Sequence, residues 1–140
     1  MPQLDWSEYA FIECLEVLPA VEEHATKHAF QVAQPDLTLV VMLWQFESVV
    51  AIEVTRTGSG APLIAFALVV RGSARHLKGP SGECIEFTNA VIVPSRFSYM
   101  EYRQKRVDLY DAKQMPGLDS VRLFVKPAIR IEIPRGPLPL

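Results

Sequence analysis

One stretch, residues 37–70, limits what this chain can fold into more than any other. It reads LTLVVMLWQFESVVAIEVTRTGSGAPLIAFALVV, the densest run of apolar, β-branched and aromatic residues in the sequence. Leu37, Leu39, Val41 and Leu43 share one parity, and Val40, Met42, Trp44 and Phe46 share the other. A strand here is therefore apolar on both faces, which predicts a central strand covered on both sides. After Glu47 and Ser48, Val50, Ile52 and Val54 alternate with Ala51, Glu53 and Thr55, the pattern of a strand with one buried face. Residues 56–62 (RTGSGAP) are a turn, and residues 63–70 return as another apolar strand.

The flanking segments continue the β pattern. Near the N-terminus, Asp5-Trp6-Ser7-Glu8 has the form of a helix-capping box with Asp5 as the cap. Phe11, Cys14, Leu15 and Leu18 fall on one helical stripe, yet Tyr9, Phe11, Leu15 and Val17 share a strand parity, and the β-rich context favours strand over residues 8–18. Pro19 ends that element. Residues 19–27 place proline first, then Glu22 and Glu23, then Lys27, the order that suits a short helix and its macrodipole. Phe30, Val32 and Gln34 suggest a brief strand before Pro35-Asp36.

Residues 71–82 (RGSARHLKGPSG) read as an exposed connection with a strong turn at Gly79-Pro80-Ser81-Gly82. Residues 83–94 are expected to form a strand pair or one bent strand, with Thr88-Asn89-Ala90 at the bend. Residues 95–110 fit a half-exposed strand or a helix equally well. Val121, Leu123 and Val125 alternate with polar and aromatic neighbours, as do Ile129, Ile131 and Ile133, and Pro127 between them marks an edge or a crossing. The fold class that follows is mainly β: an antiparallel β-sandwich or small barrel with one or two short N-terminal helices. One domain is expected over residues 1–134, with residues 135–140 as an extended proline-rich tail.

Net charge is −2 and the isoelectric point about 5.9, so no global field draws the chain to nucleic acid or to an anionic membrane. The N-terminus carries acids where a secretory signal carries bases, and the run 37–46 is about half the ~20 residues of a membrane helix. These features predict a cytoplasmic, reducing setting without membrane attachment. Cys14 and Cys84, seventy positions apart, are then expected to be buried free thiols, with one long-range disulfide as the alternative.

Motifs that carry chemistry are few. His24 and His28 stand four apart and would share a helix face, making them weak candidates for a metal pair that lacks a third ligand. Glu23 and His76 are the other donors that could complete it. Cys84 and His76 are conceivable as a nucleophile and base, though nothing in the sequence brings them together. Gly58-Ser59-Gly60 precedes no helix and reads as a hairpin tip, not a phosphate cradle. No cofactor is expected, and no catalytic residue is nominated.

The segment 96–106, RFSYMEYRQKR, interleaves basic and aromatic side chains. Arg96, Phe97, Tyr99, Tyr102, Arg103 and Arg106 form the mixture enriched at the centres of protein interfaces. The same mixture grips single-stranded nucleic acid, a reading that the acidic chain disfavours. The sequence therefore points to a non-catalytic protein-interaction module: an adaptor, an inhibitor, an immunity-type protein or a small accessory subunit, binding a protein partner or its own second copy. A β-barrel or sandwich enclosing an apolar small molecule is the alternative, and a nucleic-acid-binding module the second alternative.

Overall fold

The computed structural model describes residues 3–22, 24, 26–80, 82–94 and 117–133. Along the chain run α1 (Glu8–Leu15), β1 (Ala20–Val21), β2 (His28–Ala33), β3 (Leu37–Trp44), β4 (Val49–Arg56), β5 (Pro62–Val70), β6 (Ala74–Gly79), β7 (Gly82–Pro94), β8 (Leu118–Phe124) and β9 (Arg130–Glu132). All nine strands belong to one sheet in the order β1-β2-β3-β4-β5-β7-β8-β9, with β6 paired to β7 off that path. Each pairing is antiparallel, and the sheet stays open, with β1 and β9 as its edges. The mainly β expectation holds. Among the described residues there is one α-helix, and the sheet does not close into a barrel.

Why the central stretch dominates is visible in its registers. In β3, Leu39, Val41 and Leu43 are fully buried and face the main core, opposite Val54, Ile52 and Val50 of β4. The other face of the same strands is also apolar: Met42 and Trp44 pack against a second cluster of Val49, Ala51, Ala67, Val69, Val91 and Val93. Val40, Met42 and Trp44 are half-buried, so β3 is sealed on one face and partly covered on the other. Ala51 was expected on an open face and instead belongs to the second cluster, because Ala67 of β5 lies directly across from it.

Within residues 8–18, Glu8–Leu15 form helix, not strand. Ser7 Oγ accepts the amide of Ala10 at 3.2 Å, and the chain leaves the helix through Glu16, in the left-handed conformation, whose amide donates to the Ile12 carbonyl at 2.8 Å. The expected cap, Asp5, is used elsewhere: it forms a parallel bridge to Ser73, and its carbonyl accepts the Ala74 amide at 2.9 Å. Of the two competing patterns, the helical stripe Phe11, Cys14 and Leu15 is the buried one, and the strand parity fails because Tyr9 is 74% exposed. The helix expected over 19–27 does not form among the described residues. Ala20 and Val21 pair instead with Ala29 and His28, and His24 in the intervening turn has φ of 69°, incompatible with an α-helix. Pairing to an existing strand has overridden weak local propensity.

Residues 71–82 are the second correction. They were expected as an exposed connection, yet Ala74–Gly79 is a strand that forms a tight hairpin with Gly82–Phe87 across the expected turn. β7 is one long strand that changes partners along one edge: residues 82–87 pair with β6 and residues 90–94 with β5. The change falls at Asn89, where φ is 50°, as the sequence suggested for this bend. At the joint between β5 and β6, the Gly72 amide donates to the Thr88 carbonyl at 3.1 Å. A Cβ on Gly72 would sit 2.6 Å from that carbonyl oxygen, so only glycine fits.

The curl of the sheet and the helix make one core. Gln34, just past β2, donates through its side-chain amide to the Val125 carbonyl just past β8 at 2.7 Å, so strands far apart in the sheet order meet at one end. Helix α1 packs on β6 and β7. Its Phe11 lies among Trp6, Phe30 and Phe87, with ring centroids 5.3, 5.5 and 6.2 Å away. Phe11→Ala should therefore lower unfolding free energy by about 3–5 kcal/mol, against less than about 0.5 kcal/mol for exposed Tyr9→Ala. Urea melts followed by circular dichroism check this, and equal midpoints for the two variants would contradict the packing.

Candidate functional site

The histidines expected to share a helix face lie in different surroundings. His28 is buried in β2, its Nε2 3.0 Å from Glu8 Oε2 and its ring edge-on to Trp6 at 4.8 Å. Trp6 in turn donates through Nε1 to Gln45 Oε1 at 3.2 Å. His28 thus ties the first turn of α1 to β2. His24 is exposed in the β1–β2 turn, and the helix on which a shared cation depended is replaced by that hairpin.

Cys84 and His76 are also separated. His76 stands across from Ile85 and faces the main core side, whereas Cys84, one residue earlier, faces the opposite side between Leu77 and Phe124. The thiol that does approach His76 is Cys14, in the last turn of α1. Cys14 Sγ, a ring nitrogen of His76 and a carboxylate oxygen of Glu83 all lie within 4.8 Å of one another. Nε2 of His76 is 2.6 Å from Glu83 Oε1, and Nδ1 is 4.0 Å from Glu13 Oε2. Lys78 Nζ donates to Glu13 Oε1 at 3.2 Å, and Lys126 Nζ to Glu16 Oε1 at 2.7 Å, closing the polar rim of the helix against the hairpin.

Part of this cluster was legible before the fold. Once Gly79-Pro80-Ser81-Gly82 is taken as a hairpin turn, Lys78 opposes Glu83 and His76 falls diagonal to Glu83 on the same face. The third member, Cys14, comes from a helix sixty residues earlier and has no local signal.

Burial pushes the Cys14 thiol up to about 12, helped by the negative charge of Glu83 and the nearby Cys84. The Cys84 thiol is also raised, again by burial first, with Arg122 working the other way. Both are unlike an activated nucleophile, which is exposed and held low. Both cysteines are free, as the sequence predicted. Iodoacetamide at about pH 8 should accordingly leave both thiols unmodified in native protein and modify both after unfolding in guanidinium. Mass spectrometry reads the outcome; rapid native labelling of Cys14 would contradict its burial.

The nominated partner-binding residues Arg96, Phe97, Tyr99, Tyr102, Arg103 and Arg106 lie outside the described residues. Several apolar side chains on β5 and β7 are exposed. Ile92 on β7 is 40% exposed, and Leu63 and Ile64 on β5 are 57% and 50% exposed. Phe66 of β5 is the register partner of Pro94, the last described residue before the segment. A groove of about 570 Å³ also opens between the β2–β3 and β4–β5 connections, lined by Pro35, Asp36, Leu37, Arg56, Thr57 and Leu63. Its walls are largely solvent-exposed and half of them polar or charged, unlike an enclosed apolar pocket. No helix among the described residues is long and apolar enough to cross a membrane.

No known family profile matches the sequence, and no curated protein matches it. A solved structure does share the fold: a chain of a contact-dependent growth inhibition toxin–immunity protein complex from Klebsiella pneumoniae 342, with a TM-score of 0.62. The match covers 94% of this chain and 96% of that one at 13% identity. At that identity the likeness establishes a shared fold.

Proposed function

We propose that this protein is a non-catalytic protein-interaction module of the immunity type, acting by surface contact with a protein partner. The observation that carries the reading is the nearly end-to-end likeness to a chain that functions within a two-protein toxin–immunity complex. The interior supports it. The main core is built from Phe11, Phe30, Phe87 and aliphatic side chains, with Cys14 in it and His28 buried. Side chains of the described residues occupy this core, which favours the outer surface for binding.

We assign the partner contact to Arg96, Phe97, Tyr99, Tyr102, Arg103 and Arg106. Tyr99 and Tyr102 bring large contact area at low rotamer cost, and the arginines bring planar donors for a partner's carboxylates. Leu63, Ile64 and Ile92, exposed beside the start of the segment, would extend the apolar part of that surface.

Affinity purification from the native host, followed by separate expression of what is captured, tests the proposal. The expected partner is a single protein, recovered stoichiometrically, that arrests growth when expressed alone and is neutralised by co-expression of this chain. Tyr99→Ala with Tyr102→Ala should weaken the complex at least about 100-fold, as loss of a hot-spot pair does. Raising salt from 50 to 200 mM should weaken it far less than the roughly thousandfold loss typical of several phosphate contacts. Capture of nucleic acid that is lost with Arg103→Ala and Arg106→Ala would contradict the reading, as would a captured partner without toxicity.

A further inference from the structure

We propose that Cys14, His76 and Glu83 form a binding site for a thiophilic divalent cation of the zinc class, at the joint between α1 and the β6–β7 hairpin. The site is independent of the partner-binding reading. Its three donors are one thiol, one imidazole and one carboxylate, each from a different element, with their ligand atoms within 4.8 Å of one another. Zinc bonds of about 2.0–2.3 Å in tetrahedral geometry place neighbouring donors roughly 3.3–3.8 Å apart. Reaching that range requires the 2.6 Å contact between His76 and Glu83 to open and the longer separations to close, by side-chain rotation on a fixed backbone.

The backbone is fixed for clear reasons. His76 and Glu83 are diagonal neighbours on one face of a hairpin whose register runs unbroken from Ala74↔Phe87 to Gly79↔Gly82. Cys14 is 1% exposed and is held over that face by its flanking core residues Phe11 and Leu15. His76 is also largely covered, with a side-chain exposure of 10%. A site assembled from rigid elements costs little reorganisation when the cation enters.

The surroundings of His76 resemble those of a metal-bound imidazole. Nε2 points at Glu83, and a cation between them would replace the shared proton of the 2.6 Å contact. On the other side of the ring, Nδ1 lies 4.0 Å from Glu13 Oε2. Glu13 is itself positioned by Lys78. At 4.0 Å Glu13 stands beyond hydrogen-bond distance of Nδ1; a carboxylate brought within that distance would accept the remaining ring N–H and orient the imidazole. The donor types select the cation: thiolate and imidazole suit zinc or cobalt, whereas magnesium and calcium require oxygen ligands. Three protein donors leave a fourth position for water.

Cobalt(II) reports on such a site through its spectrum. The full chain, purified without a histidine tag, is titrated with cobalt(II) and then with zinc(II). Expected are saturation at one equivalent, a near-ultraviolet thiolate-to-cobalt charge-transfer band, visible bands of tetrahedral intensity, and loss of all of them on adding zinc. Cys14→Ala should abolish the charge-transfer band, while Cys84→Ala retains it. Glu83→Gln changes a partly exposed side chain, and should weaken cobalt binding at least about 10-fold with the far-ultraviolet spectrum unchanged. That variant keeps the test decisive if Cys14→Ala does not fold. Absence of a charge-transfer band in the unsubstituted protein, its persistence in Cys14→Ala, or unchanged affinity in Glu83→Gln would overturn the site.

Discussion

The structure depends on the burial of one short helix against the curl of the sheet. An open antiparallel sheet with an apolar face must cover that face with something, and among the described residues α1 is the helix that does so. Phe11, Cys14 and Leu15 supply that cover, with Phe11 meeting Trp6, Phe30 and Phe87. An eight-residue helix is marginal by itself, so its stability comes from this packing and from its ends. Ser7 caps one end, Glu16 turns the chain at the other, and Glu8 pairs with buried His28. The helix and the sheet therefore stabilise each other, and neither is expected to persist alone.

The same arrangement accounts for the two regions of polar chemistry. Along the seam between α1 and the hairpin, Glu13, His76, Lys78 and Glu83 gather around Cys14 because the helix ends there. On the far side of the sheet, Glu86 accepts hydrogen bonds from Ser120 Oγ and Arg122 Nε, both at 2.9 Å, and Arg130 lies 4.0 Å over Phe124. Those groups place a polar network beside buried Phe124 and Cys84 on that face of β7, β8 and β9. Exposed apolar side chains include Leu63, Ile64 and Ile92 on β5 and β7, and Tyr9, Leu18 and Val21 near the N-terminus.

Legibility in the sequence followed the length of each pattern. The strands of residues 37–70 were evident because hydrophobic alternation persists over many residues on two faces. The 83–94 strand and its bend at Asn89 were readable from the same alternation and its interruption. β6 was missed because ARHLKG contains few strand-forming side chains; its hydrogen bonds to β7 and its contact with α1 make it a strand. The segment 8–18 was undecided because its apolar residues satisfy both periods, and only the buried aromatic cluster decides between them. The 19–27 helix failed because β2 captures His28 for pairing with Leu43. Of the Cys14, His76 and Glu83 cluster, the histidine–glutamate diagonal follows from the hairpin turn, whereas the cysteine arrives through tertiary packing alone.

Helix and sheet form one closed cooperative unit, with the core of the described residues given over to packing. Native-state hydrogen exchange on the free protein tests it most directly. If the claim holds, the amides of Leu15 and Glu16 in α1 will exchange with the same opening free energy and denaturant dependence as those of Val41 and Ile52 in the central strands. Exchange of the α1 amides through a separate, low-energy opening, with the β3 and β4 amides still protected, would contradict it. That result would mean the concave face can be uncovered while the sheet stays folded, and that the interior is accessible to a ligand.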